Sequence, residues 1–326
     1  LCREKVEGRD FDIVSNPEFL QEGNGLRDFF DPDRIVLGSH SEKAVEIVRQ
    51  LHYPIIHRQV GATCSKNQDG GTQHRGGRSK ERESVPVVET TIASAQMIKY
   101  ASNAFLAARI SVINEIAALC EQVGADIKEV SEGMGYDNRI GHAYLSAGLG
   151  FGGPCLEKDL RALIKIAEAS GQEVHTLKAV LERNEKQIGD IIFKLKECLN
   201  YLLYQRIITV FGLAFKPGTN DVRGSLALKV IDRLIKEGAV VRAYDPLAGP
   251  EAAGVITEVE YSADPYSALR QADALLVLTE WPEFAGLDYK RIHDIMASPV
   301  IIDGRNLLDA NYIKSLNFTY RAFGTS

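Results

Sequence analysis

A cysteine at position 155 directly follows a glycine-rich run, in the segment Gly148-Leu149-Gly150-Phe151-Gly152-Gly153-Pro154-Cys155. Pro154 suits the first position of a helix, which predicts that Cys155 lies in the first turn of that helix. There the positive end of the helix dipole, with Lys158 three residues on, favours the thiolate, so Cys155 can act as a nucleophile. The glycines predict a loop whose backbone N–H groups approach a ligand. A capping loop with an incidental cysteine is the alternative interpretation.

Two pairs of polar residues have the spacing of one helical turn. Lys99 and Asn103 lie four apart in an otherwise apolar helical pattern, so they share a face of that helix. A partly buried lysine can assist proton transfer or stabilise an oxyanion, whereas a surface lysine would only extend into water. Glu18 and Glu22 follow a predicted strand end and offer a general base for water, or simply complement a helix dipole.

A third set of residues follows predicted strands near the C-terminus. Lys216 lies in the turn after one strand and Asp245 at the end of the next, where parallel sheets bind ligands. Lys216 suits a phosphate and Asp245 a ribose hydroxyl, although the turn is not a GxGxxG fingerprint. Arg305 follows the last predicted strand and projects toward the same edge.

The hydrophobic periodicity predicts an α/β fold whose parts are joined by a helical middle. The first predicted strand begins near residue 11, and the few residues before it are too short for a complete dinucleotide-binding half-domain, since one βαβ unit takes roughly 30 residues or more. The expected strands are a short one in the segment 12–20 that stops at a proline, followed by 34–38, 206–213, 240–244, 274–279 and 300–303. The expected helices are 42–51, 90–123 (long and mostly buried), 154–170, 174–199 and 226–237.

The composition indicates a soluble globular protein of about two domains. The chain has 326 residues, 45% of them hydrophobic and 25% charged, and a net charge of −6. We expect no membrane span, no nucleic-acid partner and a cytoplasmic location, because we find neither a long apolar run nor a basic surface. The five cysteines are widely spaced, which predicts reduced thiols and no metal site, with Cys2, Cys120 and Cys198 as buried hydrophobes.

Residues 57–84 differ sharply from the rest of the chain. This stretch is rich in glycine and in charged residues and poor in aliphatic ones. Such a segment cannot bury enough apolar surface to offset the entropy of ordering it, which predicts a disordered insertion. A basic arm for nucleic acid is the less favoured alternative.

Five motifs follow one another over nearly the whole chain. They are Ser15-Asn16-Pro17-Glu18-Phe19-Leu20, Lys99-Tyr100-Ala101-Ser102-Asn103-Ala104-Phe105, Gly152-Gly153-Pro154-Cys155 with Lys158-Asp159, Gly212 to Lys216, and Ile302-Asp303-Gly304-Arg305. Taken together, these motifs resemble the UDP-glucose/GDP-mannose dehydrogenase family. The resemblance implies a partial N-terminal Rossmann-like NAD-binding domain, a central domain with a long dimerisation helix, and a C-terminal doubly wound, Rossmann-like UDP-sugar-binding domain. The expected divisions are 1–56, 57–84 (the insertion), 85–204 and 205–326.

The resemblance also implies a reaction, the NAD-dependent oxidation of a nucleotide sugar from alcohol to acid. Cys155 would hold first a thiohemiacetal and then a thioester, which water releases as the uronate. Lys99 and Asp159 would move protons and stabilise the oxyanion, Asn103 would position the sugar, and Glu18 would be the base for hydrolysis. The favoured substrate is UDP-glucose. The alternatives are GDP-mannose, a UDP-N-acetylhexosamine, or a truncated chain that binds the sugar nucleotide without turnover.

The binding residues are likewise implied by the resemblance, together with a homodimer or higher homo-oligomer. The chain departs from the family pattern in two ways. The glycine fingerprint of the family would lie upstream of residue 1. Pro154 and Gly224 stand at positions where serine and glutamate are common in the family. The residues expected to contact the sugar nucleotide are Phe19, Leu20, Lys99, Asn103, Arg139 (from a neighbouring subunit), Phe151, Gly152, Phe215, Lys216 and Arg305. Those expected to contact NAD are Glu22, Lys158 and Arg223.

Overall fold

A computed structural model of the chain describes residues 4–59 and 84–325. Cys2, Cys64 and nearly all of the insertion expected at 57–84 lie outside these described residues. The chain divides into two compact units, unit 1 (Leu1–Asn103) and unit 2 (Ala104–Ser326).

The described residues form helices and parallel strands. The helices are α1 (Gly25–Phe30), α2 (Glu42–Leu51), α3 (Tyr53–Ile56), α4 (Ile92–Val123), α5 (Ile127–Gly135), α6 (Leu156–Ala169), α7 (His175–Cys198), α8 (Leu226–Lys236), α9 (Gly249–Ala253), α10 (Pro265–Ala268), α11 (Pro282–Ala285), α12 (Tyr289–Ile295) and α13 (Ala310–Ser315). The strands are β1 (Ile35–Gly38), β2 (Val87–Thr90), β3 (Ile207–Phe211), β4 (Val240–Tyr244), β5 (Glu260–Tyr261), β6 (Ala274–Val277), β7 (Val300–Asp303) and β8 (Thr319–Ala322).

Unit 1 is built on the parallel pair of β1 and β2. All four residues of β1 are buried, as expected for a strand covered on both faces. The short strand expected in the segment 12–20 is wrong, because this stretch contributes only an isolated antiparallel bridge between Ser15 and Gly38. Pro17, at which the strand was expected to stop, has no N–H to donate and so prevents any longer pairing.

The long helix α4 was expected to be mostly buried, and that expectation is wrong. By length and composition α4 even qualifies as a membrane span, because its most apolar 18-residue window has a mean hydropathy of 1.3, yet only 39% of that window is buried. A core helix of a soluble protein passes the same test. Phe105, Val112 and Leu119 are 66%, 54% and 57% exposed, so one apolar face of α4 is left uncovered by the residues that the structure describes.

Unit 2 contains a six-stranded sheet in the order β5-β4-β3-β6-β7-β8, with every pair parallel. This is the doubly wound arrangement, in which the order reverses between β3 and β6. The C-terminal doubly wound sheet expected from the sequence is thus confirmed. Apolar residues of α7 and α8 cover one face and Phe284, Tyr289 and Phe318 the other.

Candidate active site

Ligands of doubly wound sheets bind where the strand order reverses, at the carboxyl ends of the strands. In unit 2 this edge lies after β3 and β6. Gly212, directly after β3, has a φ of 89°, and a Cβ added there would collide with Thr279 beyond β6. The Thr279 hydroxyl donates to the carbonyl of Ala214 at 2.7 Å, which ties the two strand ends together. The turn 212–216 is therefore fixed by its packing.

Asp245, at the end of β4, is buried and fully engaged within the protein. Its Oδ2 accepts from the backbone of Leu213 and Ala214 and from the indole of Trp281, at 2.7, 3.1 and 3.2 Å. Its Oδ1 accepts from the backbone of Leu247 and Ala248 at 2.9 and 2.8 Å. With five donors inside the protein, Asp245 shapes the edge of the sheet, and the interpretation as a ribose acceptor is not supported.

The main chain of the loop 148–153, which precedes Cys155, is bonded to the protein on several sides. The N–H groups of Leu149 and Gly153 donate to the carbonyls of Gly304 and Gly224, at 2.6 and 3.2 Å. The N–H groups of Gly148 and Phe151 donate to side-chain amides at 2.8 Å each. These four N–H groups thus point into the protein and are not offered to a ligand, whereas the expected contact of Gly152 with the sugar nucleotide remains a prediction.

The loop glycines are required by close packing. A Cβ on Gly152 would lie 2.9 Å from the carbonyl of Gly224, and one on Gly153 would lie 2.7 Å from the Phe215 ring. Phe215 follows β3, so the loop that leads to Cys155 packs directly on the carboxyl edge of the sheet. The glycines allow this close approach because any side chain would force the two apart.

Cys155 itself is the N-cap residue of α6, two positions earlier than expected because the helix begins at Leu156 and not at Pro154, and its carbonyl accepts from the Asp159 N–H at 3.0 Å. Its side chain is exposed, whereas Cys120 is buried and Cys198 half-buried. Burial raises the pKa of Cys198 and so disfavours its thiolate. Among the cysteines that the structure describes, Cys155 is the one accessible to a substrate.

The first turn of α6 carries charged side chains around the thiol. Asp159 is buried and lies four residues after Cys155, on the same face of the helix, with the exposed Lys158 ammonium 3.6 Å from its Oδ1. Burial would raise the pKa of Glu157, but hydrogen bonds and ion pairing with Arg161 and Lys229 outweigh it, so its pKa is lowered. Glu157 is therefore ionised at neutral pH.

Arg305 joins the thiol loop to the sheet. Its Nε donates to the carbonyl of Leu278 at 2.8 Å, and its Nη1 donates to the carbonyl of Gly150 at 2.9 Å. The half-buried Lys216 directly follows Phe215 in the turn after β3, and its Nζ lies 5.4 Å from the centre of the Phe215 ring. The structure therefore places Phe215, Lys216 and Arg305, all expected to bind the sugar nucleotide, on the carboxyl side of this sheet.

Unit 1 brings together a second group of expected site residues. The Lys99 ammonium donates to Glu18 Oε1 at 3.2 Å and lies 5.4 Å from the centre of the Phe19 ring. Arg34 covers the same ring at 3.8 Å. Glu18 Oε2 also accepts from the Leu20 N–H at 2.6 Å. An acid and a cation proposed to act in catalysis are thus paired, although 81 residues separate them in the chain.

The remaining residues expected to lie in the active site differ in their exposure to solvent and in their ion-pair partners. Asn103 is buried on α4, and Leu20 and Glu22 are exposed. Phe151 is buried in the apolar core of unit 2, so its side chain is a packing residue. Arg139 is exposed and paired with Asp137 at 2.6 Å, and Arg223 is exposed and paired with Asp221 at 2.6 Å.

Sequence reasoning missed three buried amides that hold the thiol loop. Asn114 accepts from the Gly148 N–H, Gln187 donates to the Gly148 carbonyl, and Asn184 bonds both backbone groups of Phe151. Their only signal in the sequence is a polar residue where a helical apolar stripe should continue. That signal cannot distinguish a buried amide from an exposed one.

Two of the residues expected to contact NAD, Lys158 and Arg223, carry a positive charge that could bind its diphosphate. Lys158 and Arg223 are exposed, but the Arg223 guanidinium already makes three hydrogen bonds to Asp221. Lys158 is therefore the better placed of the two to meet a diphosphate near the thiol. The described residues of unit 1 contain no glycine-rich turn between a strand and a helix, the usual cradle for a dinucleotide.

Sequence models of a single family match three stretches of the chain. All three belong to the UDP-glucose/GDP-mannose dehydrogenase family, whose NAD binding domain matches residues 1–56, central domain residues 93–186 and UDP binding domain residues 209–310. A UDP-glucose 6-dehydrogenase of Rickettsia bellii is 38% identical over 98% of this chain and 69% of its own length. The chain belongs to the UDP-glucose/GDP-mannose dehydrogenase family.

Two further members of the UDP-glucose/GDP-mannose dehydrogenase family extend the comparison. UDP-glucose 6-dehydrogenase TuaD of Bacillus subtilis is 44% identical over 99% of this chain, which spans 64% of the length of TuaD. The structure of a UDP-glucose dehydrogenase from Pyrobaculum islandicum is 36% identical and has a TM-score of 0.81, covering 98% of this chain and 65% of that one. The α/β fold with parallel sheets expected for this family is confirmed.

Proposed function

We propose that the chain takes part in the NAD-dependent oxidation of UDP-glucose to UDP-glucuronate. The observation that carries the proposal is the exposed thiol of Cys155 at the start of α6, on a loop packed against the ligand-binding edge of the C-terminal sheet. This placement suits a nucleophile that must reach the sugar of a nucleotide held at that edge. The relatives named UDP-glucose 6-dehydrogenase favour this substrate.

In the proposed reaction, a base takes the proton of the sugar C6 hydroxyl as the first hydride leaves, which gives the aldehyde. Cys155 adds to that aldehyde, the resulting thiohemiacetal loses a second hydride to become a thioester, and water releases the carboxylate and restores the thiol. Lys99, Asn103 and Asp159 would stabilise the oxyanion and place the sugar, and Glu18 would activate the water. Glu22, Lys158 and Arg223 would contact NAD⁺, which would supply the hydride acceptor, one NAD⁺ for each of the two oxidations.

The test of this function is NADH formation, measured by absorbance, with one nucleotide sugar at a time. We expect UDP-glucose to give two NADH per UDP-glucuronate, and GDP-mannose and UDP-N-acetylglucosamine to give little. Preference for either of the latter sugars would assign another substrate within the family. Tight UDP binding without turnover of any sugar would contradict an active enzyme and favour a binding-only chain.

We also propose that the chain pairs with a second copy through α4. Phe105, Val112 and Leu119 are exposed apolar residues seven apart, the spacing of a helix-pairing seam. Such a seam is typical of helices that pack against another chain. The match of the family's central domain to residues 93–186 favours this role over a membrane span, in keeping with a cytoplasmic enzyme.

This dimer predicts a change in molecular mass on substitution. Phe105→Glu combined with Val112→Glu places two charges in the seam, and we expect the dimer to dissociate to monomers in sedimentation velocity experiments. Val255→Glu, at an apolar residue of similar exposure outside α4, is the matched control and should leave the mass unchanged. A dimer that survives the double substitution would contradict the role of α4.

A further inference from the structure

Three side-chain amides on two helices face the main chain of the loop 148–153. Asn114 on α4 is 1% exposed, and Asn184 and Gln187 on α7 are 4% and 0% exposed. An amide buried in an apolar core costs free energy unless its polar atoms are hydrogen-bonded. Asn184 uses both of its polar atoms to bond Phe151. Asn114 and Gln187 each make one hydrogen bond to Gly148, and Gln187 also accepts from Arg183. Among the described residues, Asn114 Nδ2 has no hydrogen-bond partner, so Asn184 is the amide most fully committed to the loop.

Asn184 makes the most complete of these contacts. Its Oδ1 accepts from the Phe151 N–H at 2.8 Å, and its Nδ2 donates to the Phe151 carbonyl at 2.9 Å. A single side chain thus satisfies both backbone groups of one residue, as a neighbouring strand would. Phe151 lies four residues before Cys155, and its own ring is anchored in the core beside Leu160.

The neighbouring Gly150 is held between this amide and Arg305. Its φ is 107°, and a Cβ on Gly150 would overlap Asn184 Oδ1. The Gly150 carbonyl accepts from Arg305 Nη1 at 2.9 Å. The loop is therefore fixed on one side by α7 and on the other by the arginine at the carboxyl end of the sheet.

We propose that Asn184 is a positioning residue for Cys155. By pairing with both backbone groups of Phe151, it sets where the thiol stands relative to the carboxyl edge of the C-terminal sheet. This inference rests on the proposed function, in which Cys155 is the nucleophile. Asn184 acts through the loop and does not itself need to touch the substrate.

Asn184→Leu is the informative variant, because leucine keeps the volume of the side chain and removes both hydrogen bonds. Asn184→Ala removes the bonds and leaves a small cavity. Ile192→Ala is the matched control, since it creates a cavity in the same helix at a buried residue of the sheet-facing core. Circular dichroism melts establish that each variant is folded.

We expect both Asn184 variants to lower kcat for NADH formation by about 10- to 100-fold, because small misplacements of a reacting group are costly. The Kd for UDP, measured by calorimetry, should stay within threefold of the wild type. Ile192→Ala should melt at a lower temperature but keep its kcat. If both Asn184 variants match the kcat of Ile192→Ala, the positioning role is overturned.

A second readout is independent of turnover. Peptide mass spectrometry follows the alkylation of Cys155 by iodoacetamide, and we expect its rate to change at least threefold in the Asn184 variants and not in Ile192→Ala. Unchanged alkylation in both Asn184 variants would overturn the inference even in a chain without activity. Altered alkylation in a chain that oxidises no nucleotide sugar would instead contradict the proposed function and retain the positioning role.

Discussion

Cys155→Ala is expected to abolish the release of uronate. Without the sulfur, the aldehyde has no nucleophile with which to form a thioester, so the second oxidation stops. We expect UDP-glucuronate formation, followed by chromatography with mass detection, to fall by at least about 10³-fold. The Kd for UDP should change by less than threefold, because the nucleotide would bind at the sheet edge and not at the thiol.

Two further variants make this result specific to the thiol of Cys155. Cys155→Ser keeps the size of the side chain but supplies a weaker nucleophile, so it should be nearly as inactive as Cys155→Ala. Cys198→Ala removes a half-buried thiol at the end of α7 and should retain wild-type turnover. Uronate formed at the wild-type rate by Cys155→Ala would remove Cys155 from the mechanism.

Asp245→Ala should cause the largest loss of stability among substitutions at the carboxyl edge of the sheet. Five donors converge on the buried carboxylate of Asp245, and alanine would leave them without that partner. Buried donors that lose a charged acceptor are expensive, so we expect the free energy of unfolding to fall by about 3–5 kcal/mol. Urea denaturation followed by circular dichroism measures this change.

Two further variants show whether the loss of stability comes from the five buried hydrogen bonds of Asp245 or is no larger than the loss of one exposed helix-capping bond. Asp245→Asn keeps one acceptor oxygen and should lose less stability than Asp245→Ala. Asp264→Ala removes an exposed N-cap carboxylate that accepts from the Ser267 N–H at 2.7 Å, which should cost about 1 kcal/mol. Equal losses in Asp245→Ala and Asp264→Ala would show that the five hydrogen bonds add little.

Elements with a strong local pattern were predictable from the sequence. The expected boundaries of α2, β4 and β7 coincide with Glu42–Leu51, Val240–Tyr244 and Val300–Asp303. Strands β2, β5 and β8 were missed, because each is a run of only two to four residues that includes polar or charged side chains. The division into domains that we expected from the sequence remains a prediction.

The candidate site was predictable in its chemistry more than in its geometry. Sequence reasoning expected a reactive Cys155 at a helix start, and the structure shows an exposed thiol there. It did not find the Lys99–Glu18 contact, because two residues so far apart in the chain leave no local pattern. It also did not find the close packing of Gly152 and Gly153 against Gly224 and Phe215, because this packing depends on tertiary structure. The catalytic and binding roles stay predictions.

The seven-residue spacing of Phe105, Val112 and Leu119 has a geometric consequence for the proposed dimer. A straight α-helix has 3.6 residues per turn, so positions seven apart rotate by about 20° around the axis at each step. If two straight helices packed with their axes aligned, these residues would move away from the contact surface along the helix. The two copies of α4 should instead cross at an angle of about 20°, as in a left-handed coiled coil. This crossing angle sets the directions in which the rest of each subunit extends from the helix pair.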